Sequence, residues 1–201
     1  MSYIQLEDLK IELTEEQVKQ IREQASKKTE LSTVEVGDTF TIAGHEFVVL
    51  EQFGDTTAVI SKDIVYDDEK FGENNNYDGS NVDELCNDFL SELHKQCNEE
   101  VFIEHTVDLT SDDGLKDYGE IKRKMSLLTA EMYRKYVYIL DKHKIDAWWW
   151  LATAYSTKTH NSENYVKCVS PSGFIDDCNC RYNYFGVRPF CILKSNIFVS
   201  K

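Results

Sequence analysis

Apolar and polar positions divide the chain into a series of short elements. In "LTEEQVKQIREQASKKTE" (13–30) the sparse apolar positions Leu13, Val18, Ile21 and Ala25 predict a helix lying on a surface. Thr14 and Gln17 form a capping box at its start, and acids in the first turn with Lys27–Lys28 at the end match the helix dipole. The stretch "DTFTIAGHEFVVLEQFGDTTAVISKDIV" alternates through Phe40 and Ile42, turns at Ala43–Gly44, runs through Phe47–Leu50 and turns again at Gly54–Asp55 before Ala58–Ile60. This pattern predicts a meander of three short strands, with His45 exposed at a hairpin turn.

Asn74–Asn76 and Asp78–Gly79 are turn residues. After them, Ser80 or Asn81 caps a helix whose apolar stripe is Val82, Leu85, Phe89, Leu90 and Leu93, and whose outer face is Asp83, Glu84, Asp88 and Glu92. "FIEHTVDLTSDDGLKDYGEIKRKMSLLTAEMYRKY" then predicts a strand, an acidic turn at Asp112–Asp113–Gly114, a short strand over Met125–Leu128, and a helix from Thr129 through Tyr136. In "DAWWWLATAYS" (146–156) a strand sends Trp148 and Trp150 to one face and Trp149 to the other. Each aromatic ring buries about 150–250 Å², so three indoles on a central strand are expected to organise a core. The last third reads as short strands around a Pro171–Gly173 turn and a terminal run, Val187–Leu193, which Pro189 restricts to an edge or bulged strand. Arg188 keeps its charge and therefore needs a buried carboxylate or backbone carbonyls. No fixed-period repeat or composition break appears. The expectation is an N-terminal helical arm over 1–33 and one α+β domain over 34–201.

At 201 residues the chain can build one core, and no apolar run approaches the roughly 20 residues of a membrane span. The N-terminus lacks a basic start and an apolar segment, so no signal peptide is expected. A soluble, cytoplasmic protein follows, with its six cysteines as free thiols. A four-cysteine metal site from Cys168, Cys178, Cys180 and Cys191 is the alternative. No nucleophile elbow, metalloprotease helix, P-loop or dinucleotide fingerprint is present, which points away from an enzyme, and no cofactor is expected. The net charge of −14 is uneven: residues 63–120 carry eighteen acidic and three basic side chains, while residues 121–201 are basic on balance. Such a segment repels nucleic acid and anionic membranes and attracts basic partners; the other reading is a solubilising surface.

The blocks "VGDTFTIAGHEFVVLEQF", "NNYDGSNVDELCNDFL", "SLLTAEMYRKY", "WWWLATAYS" and "YFGVRPFCIL", in this order over about 34–200, resemble the DUF6273 family of phages, prophages and gut Firmicutes. The tryptophan and G-V-R-P blocks are also similar to parts of C-type lectin-like and formylglycine-generating-enzyme-like domains. The resemblance implies a C-type lectin-like α+β fold: a twisted antiparallel sheet with two main helices, plus the N-terminal helix, closed by the terminal strand. Where family members often carry W-W-L-R-S-P, this chain has Leu151-Ala152-Thr153. The family assigns no catalytic residues.

The leading expectation is a non-enzymatic phage or mobile-element protein acting in the bacterial host cell. Its acidic surface would engage a basic groove of a host nucleic-acid-binding defence complex, as an anti-CRISPR-like inhibitor. The patch expected to do so comprises Asp67, Asp68, Glu69, Asp83, Glu84, Asp88, Glu92, Glu99, Glu100, Asp112 and Asp113. The alternative is a lectin-like display domain binding a ligand through tyrosine- and asparagine-rich loops: Tyr155, His160, Asn161 and Tyr165, with Arg181, Tyr182, Asn183 and Tyr184. Such composition suits adaptable recognition loops. A virion or assembly component is the third possibility.

Overall fold

The computed structural model describes the backbone of residues 2–6, 9–26 and 28–201, and the side chains of residues 13–20 and 28–201. Along the chain run β1 (Ser2–Leu6), β2 (Leu9–Leu13), α1 (Glu15–Ser26), β3 (Lys28–Glu30), β4 (Thr39–Ile42), β5 (His45–Phe53), β6 (Thr56–Ser61), β7 (Tyr66–Glu69) and α2 (Asn81–His94). Then follow β8 (Phe102–Ile103), β9 (His105–Asp108), β10 (Glu120–Arg123), β11 (Met125–Ser126), α3 (Ala130–Leu140), β12 (Trp149–Ala154) and β13 (Tyr165–Val169). The last elements are β14 (Ile175–Asn179), β15 (Phe185–Val187), β16 (Phe190–Lys194) and β17 (Phe198–Ser200). The molecule is mostly β with few helices.

Two sheets carry the fold. The larger runs β11-β16-β6-β5-β4-β17-β3, with β8 also paired to β16, and the smaller runs β14-β13-β12-β15-β7. Pairing is antiparallel except between β12 and β15, which meet in parallel at Trp149 and Gly186. Gly186 also makes room for the Ile64 side chain, because a Cβ there would lie 2.6 Å from Cδ1 of Ile64.

Both faces of the central strands are buried. On β5, Phe47 and Val49 enter one core while Val48 and Leu50 enter the other. On β12, Trp150 and Ala152 join the first and Trp149 and Leu151 the second. Helix α2 contributes Val82, Cys86, Phe89, Leu90 and Leu93 to the first core, and α3 contributes Tyr133, Tyr136 and Leu140 to the second. The three tryptophans divide as strand alternation requires. Trp150 stacks on Phe185 at 4.0 Å and Trp148 meets the same ring edge-on at 5.9 Å, whereas Trp149 packs against Tyr133 at 5.7 Å.

The three-strand meander forms as its turn residues dictate, with Ala43 and Gly44 both at positive φ (51° and 83°), the geometry of a tight hairpin turn. The capping box is reciprocal, Thr14 N–H donating to Gln17 Oε1 at 2.9 Å and Gln17 N–H to Thr14 Oγ1 at 3.2 Å. Four expectations need correction. The first helix stops at Ser26, because Lys28–Glu30 instead pairs with β17. Helix α3 continues past Tyr136 to Leu140. His45 is half-buried, edge-on to Phe89 at 4.8 Å. The terminal run Val187–Leu193 is two strands in different sheets, and β16 is an interior strand. The break falls at Arg188–Pro189, where proline offers no N–H to continue a ladder.

Arg188 anchors that crossover. Its guanidinium is buried and donates to the carbonyls of Ser61 (2.9 Å), Lys62 (3.0 Å) and His143 (3.4 Å), lying 5.3 Å from the centre of the Trp149 ring. Burial pushes its pKa down to about 10, so it stays charged at neutral pH. A second polar anchor is Asn75, fully buried. Its amide donates to the carbonyls of Ser156, Ser162 and Tyr165, and its oxygen accepts from the Tyr118 hydroxyl at 2.6 Å. It pins the loop before α2 to the loop after β12.

Two expected outcomes follow from these buried polar groups. Arg188→Lys keeps the charge but cannot fork, and is expected to lower the unfolding free energy by roughly 2–3 kcal/mol. The urea midpoint reads this, and an unchanged midpoint would show that the crossover does not need the fork. His105, buried beside Phe190 and bonded through Nε2 to Ser126 at 2.9 Å, has its pKa lowered by burial to about 4. The unfolded imidazole takes up a proton near pH 6.5, so stability present in full above that pH is lost as the pH falls toward 4, by on the order of 3 kcal/mol. His105→Gln is expected to flatten the stability–pH curve between pH 6.5 and 5 in urea titrations.

Candidate functional site

The acidic surface is built on β7 and α2. Strand β7 is an edge of the smaller sheet, paired with β15 through Phe185 opposite Glu69 and Val187 opposite Tyr66, with a bulge between. Asp67 and Asp68 occupy the bulge. Asp68 has φ 58°, and Asp67 Oδ1 accepts its N–H at 3.0 Å. Trp150 Nε1 donates to the Glu69 carbonyl at 2.9 Å, tying the strand to the core.

Helix α2 starts at Ser80, whose hydroxyl accepts the Asp83 N–H. Glu84, Asp88 and Glu92 are exposed and spaced by four residues, which places them along one face. Asn81 Nδ2 donates to Glu69 Oε2 at 3.1 Å, linking helix and strand. Tyr66 reports how close the two acid groups lie: burial raises its phenol pKa, and the carboxylates of Glu92, Asp88 and Glu69 add to the shift. His45 Nε2 lies 3.6 Å from Glu92. Among the described residues, Asp67, Asp68, Glu84 and Asp88 enter no ion pair with lysine or arginine. An open cleft of about 300 Å³ adjoins this face at the start of α2, with Glu73, Asp78 and Glu84 on its walls beside Lys70.

Other carboxylates of the acidic segment are used internally. Asp83 is 2 % exposed rather than on the outer face. Arg123 grips it with Nε to Oδ1 at 2.9 Å and Nη2 to Oδ2 at 2.7 Å, and also reaches Asp78. Asp112 lies against α3 and β13, and Asp113 against the loop after β12. Burial pushes the Asp112 pKa up, but Arg134 at 2.9 Å and Lys167 at 3.2 Å outweigh this and hold it below the ordinary range. Hydroxyls of Ser111 and Ser156, with His160 at 2.8 Å, hold Asp113 well below its usual pKa. Glu99 and Glu100 are exposed just beyond the C-terminal end of α2, Glu99 lying 3.8 Å from His94.

The tyrosine- and asparagine-rich loops also meet. Cys180 N–H donates to the Asn164 carbonyl at 2.8 Å, joining the 155–165 loop to the 179–184 loop. Tyr182 and Tyr184 are about half exposed and stack at 5.4 Å. Tyr184 stacks on Phe185 at 4.7 Å, so a ladder of rings runs from solvent to Trp150 in the core. Tyr155 and Tyr165 are exposed, with Lys167 5.9 Å from the Tyr155 ring centre, and Asn161 sits at φ 54°. Arg181 Nη2 donates to the Glu73 carbonyl at 2.8 Å, at the rim of the acidic cleft, and Asn183 is exposed. His160 is oriented by Asp113, whose Oδ2 lies 2.8 Å from its Nδ1, and the ring remains exposed. Sequence reasoning missed Asn75, because a buried asparagine in an Asn-rich loop reads as turn chemistry.

Among the described residues, no group of three or more His, Cys, Asp or Glu side chains could hold a metal ion, and no helix is long and apolar enough to cross a membrane. No curated protein and no solved structure matches the chain. A family model described as "Domain of unknown function (DUF6273)" matches residues 54–195, from the β5–β6 turn to just beyond β16, and so takes in the smaller sheet, strands β6, β8, β11 and β16 of the larger one, α2, α3 and the acidic face. The chain therefore belongs to the DUF6273 family.

Proposed function

We propose that this is a non-enzymatic binding protein whose β7–α2 face engages a basic groove on a partner protein. The observation that carries the reading is the row of exposed carboxylates Glu84, Asp88 and Glu92 along one face of α2, two of which lie within electrostatic reach of Tyr66 on β7, the strand that also carries the exposed Asp67 and Asp68. None of the five has a lysine or arginine partner among the described residues, Glu92 lying 3.6 Å from the His45 ring, and the net charge of the chain is −14. A groove that evolved to hold phosphates presents the complementary charge, so the partner class is a nucleic-acid-binding defence protein of a bacterial host. The protein, carried by a phage or other mobile element, acts in the host cytoplasm. It occupies the groove in competition with nucleic acid, in the manner of an anti-CRISPR inhibitor, and does not itself bind nucleic acid. The cleft beside Glu84 accepts a lysine or arginine side chain of the partner. The 108–120 turn plays no part, because Asp112, Asp113 and Asp117 are bonded to residues of the last third and Asp108 to Thr110 beside it.

A second reading rests on the exposed Tyr182–Tyr184 stack. In it the two sheets form a C-type lectin-like fold that displays a ligand-binding platform on the two adjoining loops.

Capture from bacterial lysate with the full chain separates the two. Asp67→Asn, Asp68→Asn, Glu84→Gln, Asp88→Asn and Glu92→Gln in combination are expected to abolish capture of the specific partner. For the wild type, raising salt from 50 to 200 mM is expected to weaken binding by about tenfold or more, as expected for screened charges. Tyr182→Ala with Tyr184→Ala is expected to leave capture intact, and the captured protein is expected to lose nucleic acid on adding the wild type. Capture that survives neutralisation and ignores salt, but fails in the double tyrosine variant, would establish the second reading instead.

A further inference from the structure

The smaller sheet ends in the β13–β14 hairpin, and across it two cysteines face each other. Cys168 on β13 is opposite Asp176, and Cys178 on β14 is opposite Val166, so the two lie diagonally on the same side of the hairpin. The Cys168 thiol donates to the Cys178 sulfur with 2.7 Å between sulfurs. A disulfide bond is about 2.05 Å long, so roughly 0.7 Å of approach separates the pair from a covalent link.

The two thiols are not equivalent. Cys168 is fully buried on an interior strand, while Cys178 is partly exposed on the edge strand β14. As the hydrogen-bond acceptor, Cys178 has its pKa lowered by the Cys168 thiol, against burial and the neighbouring Asp176 and Asp177 carboxylates; the Cys168 pKa is driven far up. The other four cysteines have no such arrangement. Cys86 and Cys191 are fully buried, and burial pushes the Cys86 thiol up to about 12. Cys97 donates to the Leu93 carbonyl at 2.8 Å, and Cys180 is buried.

We propose that Cys168 and Cys178 are a reversible disulfide pair, closed by exchange with a low-molecular-weight disulfide such as oxidised glutathione. The Cys178 thiolate attacks one sulfur of glutathione disulfide, whose S–S bond breaks; the departing glutathione thiolate takes up the proton that Cys178 released. Cys168 then gives up its proton and attacks the Cys178 sulfur of the mixed disulfide, expelling the second glutathione, which takes that proton. Two protein thiols are oxidised by two electrons, and one glutathione disulfide is reduced to two thiols. The bond would staple the edge strand beside the aromatic ladder, since Tyr184 lies within electrostatic reach of both sulfurs.

The test is to equilibrate the folded full chain in glutathione buffers from fully reduced to fully oxidised, quench in acid, alkylate after denaturation and map the peptides by mass spectrometry. The expected product is a single crosslink joining Cys168 to Cys178, lighter by two hydrogens, reversed by reduced glutathione, with Cys86, Cys97, Cys180 and Cys191 alkylated. Cys168→Ser is expected to accumulate glutathione on Cys178, and Cys178→Ser to leave Cys168 unmodified. Full alkylation of both cysteines in the most oxidising buffer, or a Cys178–Cys180 link in place of the expected one, would overturn the proposal. Glutathione on Cys168 in the Cys178→Ser variant would overturn the assignment of Cys178 as the attacking group.

Discussion

The fold depends on placing one positive charge where water cannot reach it. Arg188 sits at the point where the chain leaves the smaller sheet and enters the larger, and its guanidinium is held by carbonyls from the end of β6 and from the turn after α3. A charge taken out of water is tolerated only when its donors are satisfied, and three carbonyl acceptors meet at that spot only if both sheets and α3 are in register. Pro189 supplies the complementary restriction: the ladder cannot run through it, so the change of sheet is fixed in sequence. With that junction in place, β12 is flanked on both faces and the tryptophans have two cores to fill.

The acidic middle segment divides into carboxylates that hold the fold and carboxylates that face outward. Asp83, bound by Arg123, ties α2 to β10. Asp112 and Asp113 tie the 111–115 turn to α3, β13 and the loop after β12. What remains on β7 and α2 is a smaller charge than the sequence total suggests, with Glu99, Glu100, Glu104 and Glu120 exposed elsewhere. The basic excess of the last third is partly explained by the same division, since Arg123, Arg134 and Lys167 are the internal partners of these acids.

Local chemistry was readable in the sequence and long-range pairing was not. The caps at Thr14, Ser80 and Thr129, the Ala43–Gly44 turn and the opposite facing of adjacent tryptophans rest on rules spanning a few residues, and the structure obeys them. The strand identity of Lys28–Glu30 comes from a partner about 170 residues away, and three residues carry no period of their own. The same holds for β10, whose four residues gain strand form only beside β9. Of the candidate patch, the spacing of Glu84, Asp88 and Glu92 announced a common face. Asp83 follows the same acidic run, and only the position of Arg123, forty residues on, shows that it points inward.

The bulge in β7 has a consequence for how anything can meet this protein. An unprotected sheet edge invites a strand from another chain to pair with its free backbone groups. Here the left-handed turn at Asp68 and the two adjacent carboxylates interrupt that edge after a few residues, so sheet extension by a visiting peptide is blocked from this side. A visitor must read side chains instead of backbone, and the molecule can display dense negative charge on an open border of β-structure without templating its own aggregation.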